Sequence, residues 1–91
     1  MADHQRHDAG RMARQLHIEV TFLETLQQVA GRGTVWLDLP PRATVARALI
    51  VLRERMPQFV DLEVVANVNG SPARFNQELA PGDGLFLLPP A

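Results

Sequence analysis

The chain has 91 residues, room for one small domain that buries about 60–70% of the surface its unfolded form would expose. It is 46% hydrophobic and 21% charged, with a formal net charge of -1; these are ordinary globular values that exclude a chain disordered throughout and lack the electrostatic footprint of a nucleic-acid binder. There is no cysteine, and all nine basic residues are arginine, which excludes a disulfide framework, cysteine-ligated metal, a thiol nucleophile, a Schiff-base lysine and the lysine of a phosphate-binding P-loop.

Residues 1–14 include Asp3, His4, His7, Asp8 and Arg11 and almost nothing to bury, so a flexible N-terminal tail is expected ahead of a single domain over 15–91. Met12, immediately before the first patterned segment, reads as either the true or an alternative start. Asp3, His4, His7 and Asp8 are ligand types at spacings that could meet on a helix, but a tail is not a preorganised site, and no functional metal is expected there. The apolar stretches fall well short of the roughly 20 residues that span a bilayer. The N-terminus also lacks the apolar block of a secretory signal, so the expectation is a soluble cytoplasmic protein without membrane association.

From Leu16 the pattern alternates strictly, with Leu16, Ile18, Val20 and Phe22 on one face and His17, Glu19 and Thr21 on the other, the signature of a half-buried strand. Leu23 to Ala30 predicts a short helical turn closed by Gly31. Thr34 to Leu39 alternates again and stops at Pro40-Pro41, so a second strand, antiparallel to the first, is expected. Thr44 is a natural N-cap, and Val45, Leu49, Leu52 and Met56 recur at the spacing of one helix face until Pro57 ends the helix. A third strand is expected over Glu63 to Val68, running into the turn dipeptide Asn69-Gly70. A short fourth strand over Ala73 to Phe75 follows. After the turn Pro81-Gly82-Asp83-Gly84, the apolar run Leu85 to Leu88 predicts a central strand beside the first.

Strand, strand, helix, strand, short strand, strand is an α+β order, the β-grasp arrangement of ubiquitin: a mixed four- to five-stranded sheet with one long helix packed on one face. Its chemistry-bearing residues are sparse. The acids Glu19, Glu24, Asp38, Glu54, Asp61, Glu63, Glu78 and Asp83 are scattered without the pairing of a general acid and base. Gly82-Asp83-Gly84 precedes a strand instead of opening a helix, the wrong context for a phosphate loop. Ser71 has no nucleophile-elbow context, and His17 stands on a polar face with no obvious partner. No catalytic residue and no cofactor are assigned. If the helix covers the face carrying Leu16, Ile18, Val20, Val35 and Leu37, then Trp36, Phe86 and Leu88 fall on the other, and an apolar patch there marks a protein-binding surface.

Over Leu16 to Pro90 the residues resemble the ThiS/MoaD family of ubiquitin-like sulfur carriers. The resemblance rests on Phe22-Leu23-Glu24-Thr25-Leu26-Gln27-Gln28-Val29-Ala30-Gly31, on Leu37-Asp38-Leu39-Pro40 with Ala43-Thr44-Val45, and on Val68-Asn69-Gly70, Leu79, Gly82-Asp83 and Leu88-Pro89-Pro90 in that order. The Pro-Pro ending is closer to MoaD, the small subunit of molybdopterin synthase. What the resemblance implies is a non-catalytic carrier linked to molybdopterin biosynthesis. Its C-terminal carboxylate would be adenylated by a partner, converted to a thiocarboxylate and inserted into a larger subunit to deliver sulfur. Members end in Gly-Gly, whereas this sequence ends Pro89-Pro90-Ala91, so neither glycine carries over. Two expectations follow: a carrier-type protein docking on a synthase subunit or an adenylyltransferase through Trp36, Phe86, Leu88 and the C-terminal residues Pro89, Pro90 and Ala91, or a tail-less β-grasp interaction module with no sulfur chemistry.

Overall fold

A computed structural model describes residues 15–91. Asp3, His4, His7, Asp8 and Met12 lie outside the described residues, and so does the expected tail. The elements are β1 (Leu16–Phe22), α1 (Thr25–Ala30), β2 (Thr34–Leu39), α2 (Val45–Arg55), a 3₁₀ turn (Pro57–Phe59), β3 (Val65–Val68), β4 (Ser71–Pro72) and β5 (Gly84–Leu88). They form one five-stranded mixed sheet in the order β2-β1-β5-β3-β4. β1 pairs antiparallel with β2 and parallel with β5, which pairs antiparallel with β3. The β-grasp architecture expected from the element order is therefore present, with the last apolar run at the centre of the sheet beside β1.

Alternation decides which side chains are inside. Leu16, Ile18, Val20 and Phe22 of β1, Val35, Leu37 and Leu39 of β2, Ala66 and Val68 of β3, and Leu85 and Leu87 of β5 are all buried. They meet Val45, Ala48, Leu49 and Leu52 of α2 in one core that, among the described residues, contains no polar residue. Full burial of each large aliphatic side chain contributes about 1.5–3 kcal/mol. The Thr44 side chain accepts from the Arg47 N–H, 3.1 Å, and the carbonyls of Gln77 and Phe75 accept from the N–H groups of Val45 and Ala46 at 3.0 and 2.8 Å. The start of α2 is thus capped both by its own sequence and by a distant segment.

Several boundaries differ from expectation for local reasons. The first helical turn begins at Thr25, because the Leu23 N–H is taken by Leu87 O at 3.0 Å and Glu24 adopts φ 55°, ψ -133°, outside helical space. The third strand begins at Val65. The fourth lies at Ser71–Pro72, not Ala73–Phe75: Asn69 and Gly70 both have positive φ, 54° and 91°, the geometry of a two-residue hairpin turn, so pairing resumes at Ser71 against Val68. Phe75 is drawn away from the sheet by its bond to Ala46. Past Pro57, the 3₁₀ turn inserts Phe59 into the core against Phe22, rings stacked with centroids 5.2 Å apart.

Candidate functional site

The face opposite α2 carries the other half of each alternation: His17, Glu19 and Thr21 from β1, Trp36 and Asp38 from β2, Val65 and Asn67 from β3, and Phe86 and Leu88 from β5. Register decides which of these meet. Phe86 lies between Thr21 and Asn67, and Leu88 lies beside Val65. Together with Leu23, the side chains of Phe86, Leu88 and Asn67 surround a hollow of about 570 Å³ whose lower rim is the backbone at Gly70 and Gly82. Gly84 adjoins the Phe86 ring at this rim, where a Cβ would make an ordinary van der Waals contact, 3.4 Å from Phe86 Cε1.

The rim is held by a polar brace. Asn69 Nδ2 donates to Asp83 Oδ1 at 2.8 Å, Asn69 Oδ1 accepts from the Gly84 N–H at 2.9 Å, and Asp83 Oδ2 accepts from the Ala80 N–H at 2.8 Å. Within the hollow, Asn67 Oδ1 is buried and has no hydrogen-bond partner among the described residues.

Trp36, Phe86 and Leu88 do share this face, but not one patch. Trp36 is opposite Glu19 on β1, and Glu19 is opposite Gly84 on β5, so the polar side chains of β1 separate Trp36 from Phe86. Trp36 is instead half of an aromatic stack with His17, ring centroids 4.6 Å apart and planes 12° from parallel. His17 also pairs with Asp38 through Nδ1 and Oδ1. The histidine that lacked an obvious partner in the sequence therefore has two, both supplied by β2. Leu23, Asn67 and Asn69 complete the hollow and were not singled out from sequence as surface residues. The signal for Asn69 was present in the turn dipeptide Asn69-Gly70, but a turn propensity says nothing about what the side chain holds.

Beyond Leu88 the chain leaves the sheet: Pro89 is half-buried, and Pro90 and Ala91 are exposed. Arg53 and Arg55 of α2 do more than solvate the helix. Arg53 donates to the carbonyls of Phe59 and Leu62 at 3.0 and 2.8 Å, and Arg55 donates to the Trp36 carbonyl at 2.7 Å. Among the described residues, no group of three His, Asp or Glu side chains converges as a metal site, and no helix is long and apolar enough to cross a membrane.

No protein-family model matches the chain, and no curated protein matches it by sequence. Solved structures do. Small archaeal modifier protein 1 of Haloferax volcanii is 30% identical, with a TM-score of 0.76 over 84% of this chain and 99% of that one. A Pyrococcus furiosus protein assigned as molybdopterin converting factor subunit 1 superimposes with a TM-score of 0.78 over the same shares of the two chains at 23% identity. Urm1 of Trypanosoma brucei shares the fold at 16% identity, with a TM-score of 0.62 over 85% of this chain and 94% of its own.

Proposed function

The chain belongs to the ThiS/MoaD-type family of ubiquitin-like β-grasp proteins, and from that premise we propose that it is a sulfur-carrier or modifier-type protein that docks on a larger partner through the face bearing Phe86 and Leu88. The observation that carries this reading is the position of the hollow on the strand that delivers the C-terminus. Leu88 lines the hollow, and Ala91 follows three residues later, a span of at most about 11 Å in extended chain. A partner seated on Leu23, Phe86 and Leu88 would have the segment that leads toward the carboxylate within reach of its own active site. Apolar side chains around a hollow supply the affinity such a contact requires, and the polar residues of β1 form its rim. Trp36 forms the far end of the same docking face, and Pro89, Pro90 and Ala91 lead from the sheet toward the partner.

In this role the carrier contributes a carboxylate and a recognition surface, and the partner contributes the catalysis. The carboxylate attacks the α-phosphate of ATP, pyrophosphate leaves, and hydrosulfide then attacks the acyl carbon and displaces AMP to give the thiocarboxylate. The partner would be an adenylyltransferase or a synthase large subunit, and molybdopterin synthesis would be the destination of the sulfur. The test is to purify the protein with its native C-terminus from its source, measure its intact mass and identify what copurifies. A mass increase corresponding to replacement of one carboxylate oxygen by sulfur, together with an adenylyltransferase or synthase subunit lost on Phe86→Ser, is the expected result. A partner retained through this face without any sulfur on the carrier would leave the interaction module and overturn the carrier. A partner indifferent to Phe86→Ser would overturn the docking face.

A further inference from the structure

A second group of exposed apolar residues lies away from that face. Five large hydrophobic residues are exposed among those described, and three of them, Ile50, Val60 and Phe75, at 50–53% exposure, line a single groove of about 660 Å³ between α2 and the outer end of β3. Leu49 and Val64 form its floor, and Pro90 stands at its mouth. Grouping of this kind is unusual for a surface that meets only water.

Two observations define what would fill the groove. The first is an open sheet edge. β4 covers β3 only at Asn67 and Val68, and Ala73 adds one bond to Ala66 O at 3.0 Å. Ala66 presents its backbone groups to this outer edge, and Val64 stands two residues before it, immediately ahead of β3. There, Phe75 has turned away to cap α2, and neither group of Val64 has a hydrogen-bond partner among the described residues. An extended segment laid along this edge satisfies both groups and places alternate side chains against Ile50 and Phe75.

The second observation is charge. Asp61 and Glu63 line the groove, and neither is paired with a described residue. The one cation in the lining, Arg53, is committed to the carbonyls of Phe59 and Leu62. The groove therefore presents two carboxylates and favours a basic occupant. A second copy of this chain docked by two-fold symmetry would bring these carboxylates against their own kind, which argues against self-association here.

We infer that the α2–β3 groove binds an extended segment of a partner protein, apolar at alternate positions and carrying Arg or Lys, which adds as a strand to the edge of β3 at Val64. The test selects peptides from a random phage-displayed library against the full chain and titrates one synthetic selected peptide into isotope-labelled protein. The expected result is a set of peptides alternating apolar residues with Arg or Lys. The bound peptide should be extended, with its backbone against Val64, and about tenfold or more weaker on Ile50→Asp or Phe75→Ser, a loss typical of a central interface anchor. Reversing both acids, Asp61→Arg with Glu63→Arg, should weaken the same peptide and reselect acidic ones. Phe86→Ser should leave binding unchanged, so this inference and the docking face on the opposite side of the sheet fail separately. Selection of no peptide sensitive to Ile50→Asp, a peptide bound as a helix, or self-association of the chain abolished by Ile50→Asp would overturn it.

Discussion

Asn69 and Asp83, 14 residues apart, share a 2.8 Å hydrogen bond that ties the turn after β3 to the turn before β5. The same amide accepts from the Gly84 N–H at 2.9 Å, and the residue carrying it has φ 54°, a conformation asparagine tolerates better than most residues. One residue thus serves as turn former and as brace for the rim of the hollow, and these roles separate by substitution.

Asn69→Gly keeps the backbone conformation and removes the brace, so it should cost about 1–3 kcal/mol of stability, the contribution of two hydrogen bonds, one to a charged group, less the relief glycine gives at positive φ. Asn69→Ala should cost more, because it adds strain at positive φ. Urea denaturation reads both quantities: equal losses in the two variants would mean that alanine carries no strain at this φ, and no loss in Asn69→Gly would mean that the side-chain bonds contribute nothing.

Glu24 has φ 55° and ψ -133°, a region that glycine enters freely and other residues enter at a cost of about 1–3 kcal/mol. Its side chain makes no capping bond. Glu24→Gly should therefore raise the denaturation midpoint, for a net gain of about 1 kcal/mol after the greater freedom of glycine in the unfolded chain is subtracted. A lowered midpoint would show that the turn is not strained.

Arg53 reaches two carbonyls at once, those of Phe59 and Leu62, and so holds the 3₁₀ turn against α2. Arg53→Lys should not restore what Arg53→Ala loses, because a single ammonium cannot reproduce the planar fork. Both should be destabilised by about 1–3 kcal/mol, measured by thermal unfolding. Phe59→Ala, which empties the stack against Phe22, should cost about 3–5 kcal/mol.

Trp36 is the only tryptophan, so intrinsic fluorescence reports on its stack with His17 alone. His17→Ala should change the emission intensity and lower stability by about 0.5–1.5 kcal/mol, the usual contribution of a stacked aromatic pair beyond its buried area. A partner that covers this end of the sheet should shift the emission to shorter wavelength, and a partner confined to Phe86 and Leu88 should not.

Much of the fold was legible because its signals are local. Strict alternation in β1 and β2, the Thr44 cap, the proline at the end of α2 and the turn dipeptide Asn69-Gly70 each act within a few residues. The element boundaries that moved did so under long-range bonds: Leu23 N–H to Leu87 O delayed α1, and Ala46 N–H to Phe75 O pulled the segment after β4 off the sheet. Placement of Trp36, Phe86 and Leu88 on the face away from the helix was likewise readable, since the side-chain period of a strand is two.

Which strands are neighbours is a different kind of information. The amino-acid order alone determined a β-grasp domain, its apolar core face and the three apolar side chains left over on the other. Only the tertiary structure decided that β1 lies between Trp36 and Phe86, that β2 supplies both partners of His17, and that β4 is too short to close the edge of β3. The reason is physical. Periodicity fixes the face a side chain occupies through backbone geometry within one strand, whereas lateral position across a sheet follows from hydrogen bonds between segments far apart in the chain, which no local pattern encodes.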